Sequence, residues 1–83
     1  MYDCLFVVRS VTAGQRGKAA LERRGISARL LRSPGGLSEN GCAYALYVRR
    51  RELRRAARLL EEARVEAPAY CMQPDGSYQR AAP

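Results

Sequence analysis

The sequence contains no histidine, no tryptophan and a single phenylalanine. Without histidine the chain cannot build a Ser-His-Asp triad, a Cys-His pair or a histidine metal site. Lysine is nearly absent as well: Lys18 is the only one, so the other basic residues are all arginine. Cysteine is limited to Cys4, Cys42 and Cys71, with no C-x-x-C pair, which argues against a zinc site or a thioredoxin-type motif. An odd number of cysteines argues against a secreted disulfide framework. No apolar run approaches the roughly 20 residues of a membrane-spanning helix. No D-x-D, H-E-x-x-H or G-x-x-x-x-G-K pattern occurs. Met1-Tyr2-Asp3 does not open a basic and then apolar leader, so no signal peptide is expected. Together these absences predict a cytoplasmic protein with reduced thiols, no membrane association, no metal and no cofactor.

What the chain has is an ordinary globular balance, 47% hydrophobic and 28% charged over 83 residues. A chain this short hides only about 60% of the surface it exposes when unfolded, so one thin core is expected and a deep active site is not. Residues 1–73 read as a single domain and 74–83 as a flexible C-terminal tail. Fifteen basic residues against eight acidic ones leave a net charge of +7. Such a field attracts nucleic acid, acidic proteins or anionic surfaces without choosing among them.

Cys4-Leu5-Phe6-Val7-Val8 is short, apolar and rich in β-branched residues, as a central strand buried on both faces would be. A helix is predicted from Ser10 or Thr12 to Arg24, capped by a hydroxyl at its start and stopped by Gly25. Gly14 and Gly17 weaken it by roughly 1 kcal/mol each relative to Ala. Either the pair lets the helix lie close to a sheet, or the helix is simply a poor one. Ile26–Arg32 reads as a second strand, with Ile26, Ala28 and Leu30 on one face. A breaker-rich loop, residues 33–41, leads to a third strand over Cys42–Val48. Arg51–Arg64 is the clearest helix, with Leu53, Ala56, Ala57 and Leu60 forming an apolar stripe. Ala67–Met72 reads as a last strand, placed at an edge by Pro68, and Pro74-Asp75-Gly76 as a turn. The order β-α-β-β-α-β predicts an α+β, ferredoxin-like fold: a four-stranded antiparallel sheet in the order 4-1-3-2 with both helices on one face.

Three features are candidates for chemistry. Cys42 stands where the Gly-rich loop meets the third strand, between Gly41 and Ala43. Loop N–H groups or a nearby arginine would stabilise its thiolate, making it a nucleophile able to carry sulfur or selenium. The bland reading is a small buried residue at a strand start. Cys4 and Cys71 fall on neighbouring antiparallel strands and could lie side by side. They are a redox pair or, as expected in a reducing compartment, two small packed residues. Arg50, Arg51, Arg54, Arg55 and Arg58 crowd the start of the second helix, where positive charge opposes the helix dipole. They form a partner-docking face or a solvated one relieved by Glu52, Glu61 and Glu62.

The motif order resembles the Se/S carrier-like family of small bacterial domains of unknown function. The resemblance is carried by Tyr2, Phe6 and Ser10, by Gly25-Ile26, and by Pro34, Leu37 and Ser38. It continues through Cys42 with Tyr44-Ala45-Leu46, and through Leu53, Ala57 and Leu59-Leu60-Glu61-Glu62. Gly35 follows Pro34 where the family pattern tends to have Arg, Ala43 replaces a frequent Gly, and the loop is about one residue longer. The resemblance implies that Cys42 accepts and donates a sulfane sulfur or selenium atom. Pro34, Gly35, Gly36, Ser38 and Gly41 would shape its loop. The chain would then be a carrier, not an enzyme, loaded by a cysteine desulfurase or a selenium-metabolism enzyme that docks on the arginine face. Two rival readings remain: a homodimeric binding or regulatory module, and a basic nucleic-acid-binding domain. For the last, Tyr2, Tyr44, Tyr47 and Tyr70 are candidate stacking residues, but no RNP-like aromatic signature is present.

Overall fold

The computed structural model describes residues 2–34 and 44–82. The chain forms β1 (Cys4–Val8), α1 (Val11–Glu22), β2 (Arg29–Arg32) and β3 (Tyr44–Val48). A short 3-10 turn over Arg50–Glu52 then leads into α2 (Leu53–Glu62), followed by β4 (Ala69–Met72) and β5 (Tyr78–Ala81). The five strands make one antiparallel sheet in the order β2-β3-β1-β4-β5.

The fold is therefore α+β with two helices, as expected, but the four-stranded sheet is corrected to five strands. The residues expected to be a loose tail supply the fifth. Gly76 N–H donates to the Gln73 carbonyl, and Gln73 N–H donates to the Ser77 carbonyl, closing a tight hairpin. Gly76 takes φ 88°, the left-handed conformation that a three-residue hairpin loop needs at this position. Asp75 Oδ1 accepts from the Ser77 hydroxyl at 2.6 Å and from its backbone N–H at 2.9 Å. The second consequence is that β4 is not an edge strand despite Pro68. The Pro68 carbonyl accepts from Val7 N–H at 2.9 Å, and β5 covers the outer side. Among the described residues the edges are β2 and β5.

β1 is central between β3 and β4, and Cys4, Leu5, Phe6 and Val8 are all buried. Register places Cys4, Phe6 and Val8 on the same face as Val48, Leu46 and Tyr44 of β3 and Cys71 and Ala69 of β4. These residues join Leu21 of α1 and Ala56 and Leu60 of α2 in one hydrophobic core. Leu5 and Ala45 point the other way and, although buried, stand outside that core.

Ser10 caps α1, its Oγ accepting from Ala13 N–H at 3.1 Å. At the other end Gly25 takes φ 81°, and Ile26 N–H donates back to the Leu21 carbonyl, the expected glycine stop. The close approach also holds. A Cβ on Gly14 would meet Leu30 Cδ1 at 2.5 Å, and one on Gly17 would meet Leu46 Cδ1 at 2.7 Å and Leu60 Cδ2 at 2.9 Å. The glycine pair thus lets α1 lie against both the sheet and α2. α2 ends in the same motif with Arg64 at φ 58° in place of glycine, Val65 N–H donating to the Leu60 carbonyl.

The second strand is shorter than expected, Arg29–Arg32 instead of Ile26–Arg32. Ile26 and Ala28 are buried as anticipated, but β3 ends at Val48 opposite this stretch, and Ile26 N–H is already used to close α1. The clearest expected helix also begins with the 3-10 turn and ends at Glu62, not at Arg64. Cys4 and Cys71 lie directly opposite in register, their Cα atoms 4.0 Å apart, and form a disulfide. The expectation of reduced thiols is corrected at this pair. No helix among the described residues is long and apolar enough to cross a membrane.

Candidate functional site

Cys42 and its loop neighbours Gly35, Gly36, Ser38 and Gly41 lie outside the described residues. What the structure describes is where that loop is anchored. Arg32 at the end of β2 pairs with Tyr44 at the start of β3, and Tyr44 in turn pairs with Val8 at the end of β1. Pro34, half-buried, is the last described residue before the loop. The anchors therefore stand at the end of the sheet from which α1 departs.

Among the described residues that end carries Arg9, Arg32 and the N-terminus of α1, beside the carboxylate of Glu66. The first turn of α1 contains no acidic residue, so the partial positive charge of its N-terminus is not offset there. The Arg32 guanidinium lies 6.0 Å from the Tyr44 ring centroid, and Arg9 is highly exposed and only loosely paired, 3.9 Å from Glu66. These groups favour an anion over a neutral species.

The other two cysteines do not take part in such a site. Cys4 is 0% and Cys71 3% exposed, and both are occupied by their mutual disulfide. Cys42 is the one cysteine of the sequence outside that pair.

The arginine cluster divides in two. Arg50 Nη2 donates to the Met72 carbonyl at 2.8 Å, and its Nε lies 3.7 Å from Asp3, tying the entry of α2 to β4 and β1. Arg55 Nη2 donates to the Arg24 carbonyl at the end of α1 at 3.0 Å, while its Nη1 lies 3.5 Å from Glu52. Arg16 does the reverse, donating from α1 to the Ala63 carbonyl at the end of α2 at 2.9 Å. Both cross-helix contacts put a cation at the negative end of a helix dipole. Sequence reasoning missed this structural role, because a cross-helix contact leaves no local pattern. Arg51, Arg54 and Arg58 remain exposed, and Arg54 and Arg58 border a shallow hollow with Ala57, Glu61 and Glu62.

The tyrosines also divide. Tyr44 lies on the helix-covered face, by its register with Val8. Tyr2 precedes β1, its hydroxyl 2.7 Å from the Ser27 hydroxyl, with the Arg49 guanidinium 4.9 Å from its ring centroid. Tyr47 and Tyr70 lie on the opposite sheet face, both registered with Leu5. Partial burial, and secondarily the neighbouring Tyr78, raise the Tyr47 pKa above its ordinary value.

Among known families, one matches residues 3–71, which is most of the chain; its description is "Putative Se/S carrier protein-like". The chain belongs to this family. The matched span runs from just before β1 to Cys71 in β4, so it includes the Cys42 loop and excludes β5. No curated protein and no solved structure matches the chain.

Proposed function

We propose that this Se/S carrier-like protein holds a sulfane sulfur or selenium atom on Cys42 and passes it between partner enzymes in the cytoplasm. Its scaffold is read as a ferredoxin-like core extended by one hairpin strand. The observation that carries the proposal is the family match over residues 3–71. Two features support it. The Cys4–Cys71 disulfide leaves Cys42 as the one cysteine outside the pair, and the loop that bears it springs from the end of the sheet where Arg9, Arg32 and the N-terminus of α1 stand. Positive potential lowers a thiol pKa and so raises the thiolate fraction that reacts.

The transfer is a thiol exchange. The Cys42 thiol gives its proton to solvent, and the thiolate attacks the outer sulfur of a cysteine persulfide on a desulfurase. A new S–S bond forms at Cys42, the old one breaks, and its electron pair leaves with the desulfurase thiolate, which is then protonated. An acceptor thiolate removes the outer atom from Cys42 by the same exchange, and an outer selenium follows the same course. The chain turns nothing over alone and acts as a carrier. Arg51, Arg54 and Arg58 would steer an acidic partner, while Arg50 and Arg55 hold the helix that presents them.

The test is intact mass after incubation with a cysteine desulfurase and cysteine, with excess reductant removed. The expected result is a reductant-labile gain of a single sulfur atom that disappears in Cys42→Ser and persists in the Cys4→Ala/Cys71→Ala double variant. A folded wild-type chain that gains nothing, or a gain that survives Cys42→Ser, overturns the assignment.

A further inference from the structure

Both helices pack on one face of the sheet, and among the described residues no helix covers the other. That face has a definite composition. One register row crosses all five strands: Arg29 on β2, Tyr47 on β3, Leu5 on β1, Tyr70 on β4 and Arg80 on β5. Leu5 is fully buried at the centre of the row, and the two tyrosines flanking it are half-buried, so the aromatic residues remain accessible above an apolar floor. Adjacent strands stand about 4.8 Å apart, so the two tyrosine positions are separated by about 10 Å. Tyr78 on β5 adds a third aromatic residue, on the same face as Met72. Arg29 and Arg80, both exposed, close the row at its two ends, and the Arg80 guanidinium lies 5.9 Å from the Tyr70 ring centroid. No residue of any of the five strands is acidic.

We infer that this open sheet face binds single-stranded nucleic acid, with bases stacking on Tyr47, Tyr70 and Tyr78 and phosphates held by Arg29 and Arg80. The chemistry fits on both counts. Aromatic residues on an open sheet accept the flat face of any base, and arginines at the row's ends meet the backbone charge. Charge decides between the occupants that a partly apolar face admits. A second copy, itself at a net charge of +7, would bring a strand surface with arginines and no carboxylates against another like it. A polyanion meets that surface with complementary charge. The face is separate from the arginine side of α2, and the inference does not rest on the Cys42 reading. The sequence offered nucleic acid as a rival reading with Tyr47 and Tyr70 among its candidate stacking residues, but not Tyr78 and Arg80, which fall in residues that read as a tail.

The experiment is fluorescence anisotropy of labelled oligouridine and oligodeoxythymidine titrated with the full chain across a range of salt. Tyr70→Ala and Tyr47→Ala are expected to weaken binding by about tenfold or more, the range of a lost base stack. Tyr70→Phe should keep it, which separates loss of stacking from loss of fold. Arg80→Ala should lower the salt slope by about one unit, as loss of a single phosphate contact does. Binding unaffected by the tyrosine variants, or reduced equally by an Arg54→Ala/Arg58→Ala double variant, overturns the inference in favour of diffuse charge attraction. A dimer in light scattering that dissociates in Tyr70→Ala, with no oligonucleotide bound by the wild type, overturns it in favour of self-association.

Discussion

Gly14 and Gly17 stand on one side of α1, yet their surroundings differ. Around Gly17 the two nearest groups are methyls of Leu46 and Leu60, which are 0% and 2% exposed and have little space to retreat. Around Gly14 the nearest group is the end of Leu30, which is only half-buried. Alanine gains about 1 kcal/mol over glycine inside a helix, whereas forcing a methyl into a packed core costs about 1–3 kcal/mol. Gly17→Ala is therefore expected to lower the thermal midpoint, and Gly14→Ala to leave it unchanged or raise it. Equal effects in differential scanning calorimetry would remove the distinction. Asp75 gives a second test at this scale. Hydrogen bonds from the Ser77 hydroxyl, and then its backbone N–H, lower the Asp75 pKa. A carboxyl whose folded pKa is lowered stabilises the fold above its unfolded value of about 4 and loses that contribution as pH falls through the folded value. The wild type should thus lose more stability than Asp75→Asn on passing from neutral to acid pH. Parallel acid titrations of the two chains, followed by circular dichroism, would contradict this.

The last hairpin shows how an element changes the meaning of its neighbour. Without β5, the outer N–H and carbonyl groups of β4 would face solvent along a strand carrying Tyr70 and Met72. An unpaired edge of that kind templates association with other chains. Deleting residues 77–83 is expected to produce concentration-dependent aggregation in light scattering, with the two helices retained in circular dichroism. A monomeric truncation at all concentrations would show that β5 has no such protective role. The helix pair depends on another device. Arg16 and Arg55 each reach across to the carbonyl end of the opposite helix, so part of the arginine excess serves the fold. Arg51, Arg54 and Arg58 of that cluster are exposed, and it is on them that the proposed docking face rests.

At the scale of the whole molecule, the disulfide joins β1 to β4 across a sequence separation of 67 residues. Closing a loop of that length removes roughly 4 kcal/mol of unfolded-state entropy on the chain-entropy account. Both sulfurs sit in the core shared by sheet and helices. In denaturant without reductant, a thiol assay should count one reactive cysteine, Cys42, and after reduction all three. The reduced chain should unfold at clearly lower denaturant concentration. Three reactive thiols before reduction would remove the bridge from the account.

By itself the sequence determined the parts governed by local rules. The all-apolar Leu5–Val8 run marked the central strand, since such a run suits a strand with neighbours on both sides, and β1 lies between β3 and β4. Ser10 and Gly25 marked the ends of α1, since a hydroxyl caps free N–H groups and glycine accepts positive φ. The stripe from Leu53 to Leu60 marked the buried side of α2, and the succession of six elements followed from these. The family was legible in spaced motifs around Cys42. The Pro74-Asp75-Gly76 turn was legible too, but not that Tyr78–Ala81 would use it to form a strand. Tyr-Gln-Arg-Ala has no strong apolar alternation and takes strand form by pairing with β4. Tertiary structure alone decided which cysteines meet, which arginines are tied to helix ends, and which tyrosines share the open face. Each of these depends on register between strands or contact between helices, and neither is written in local spacing.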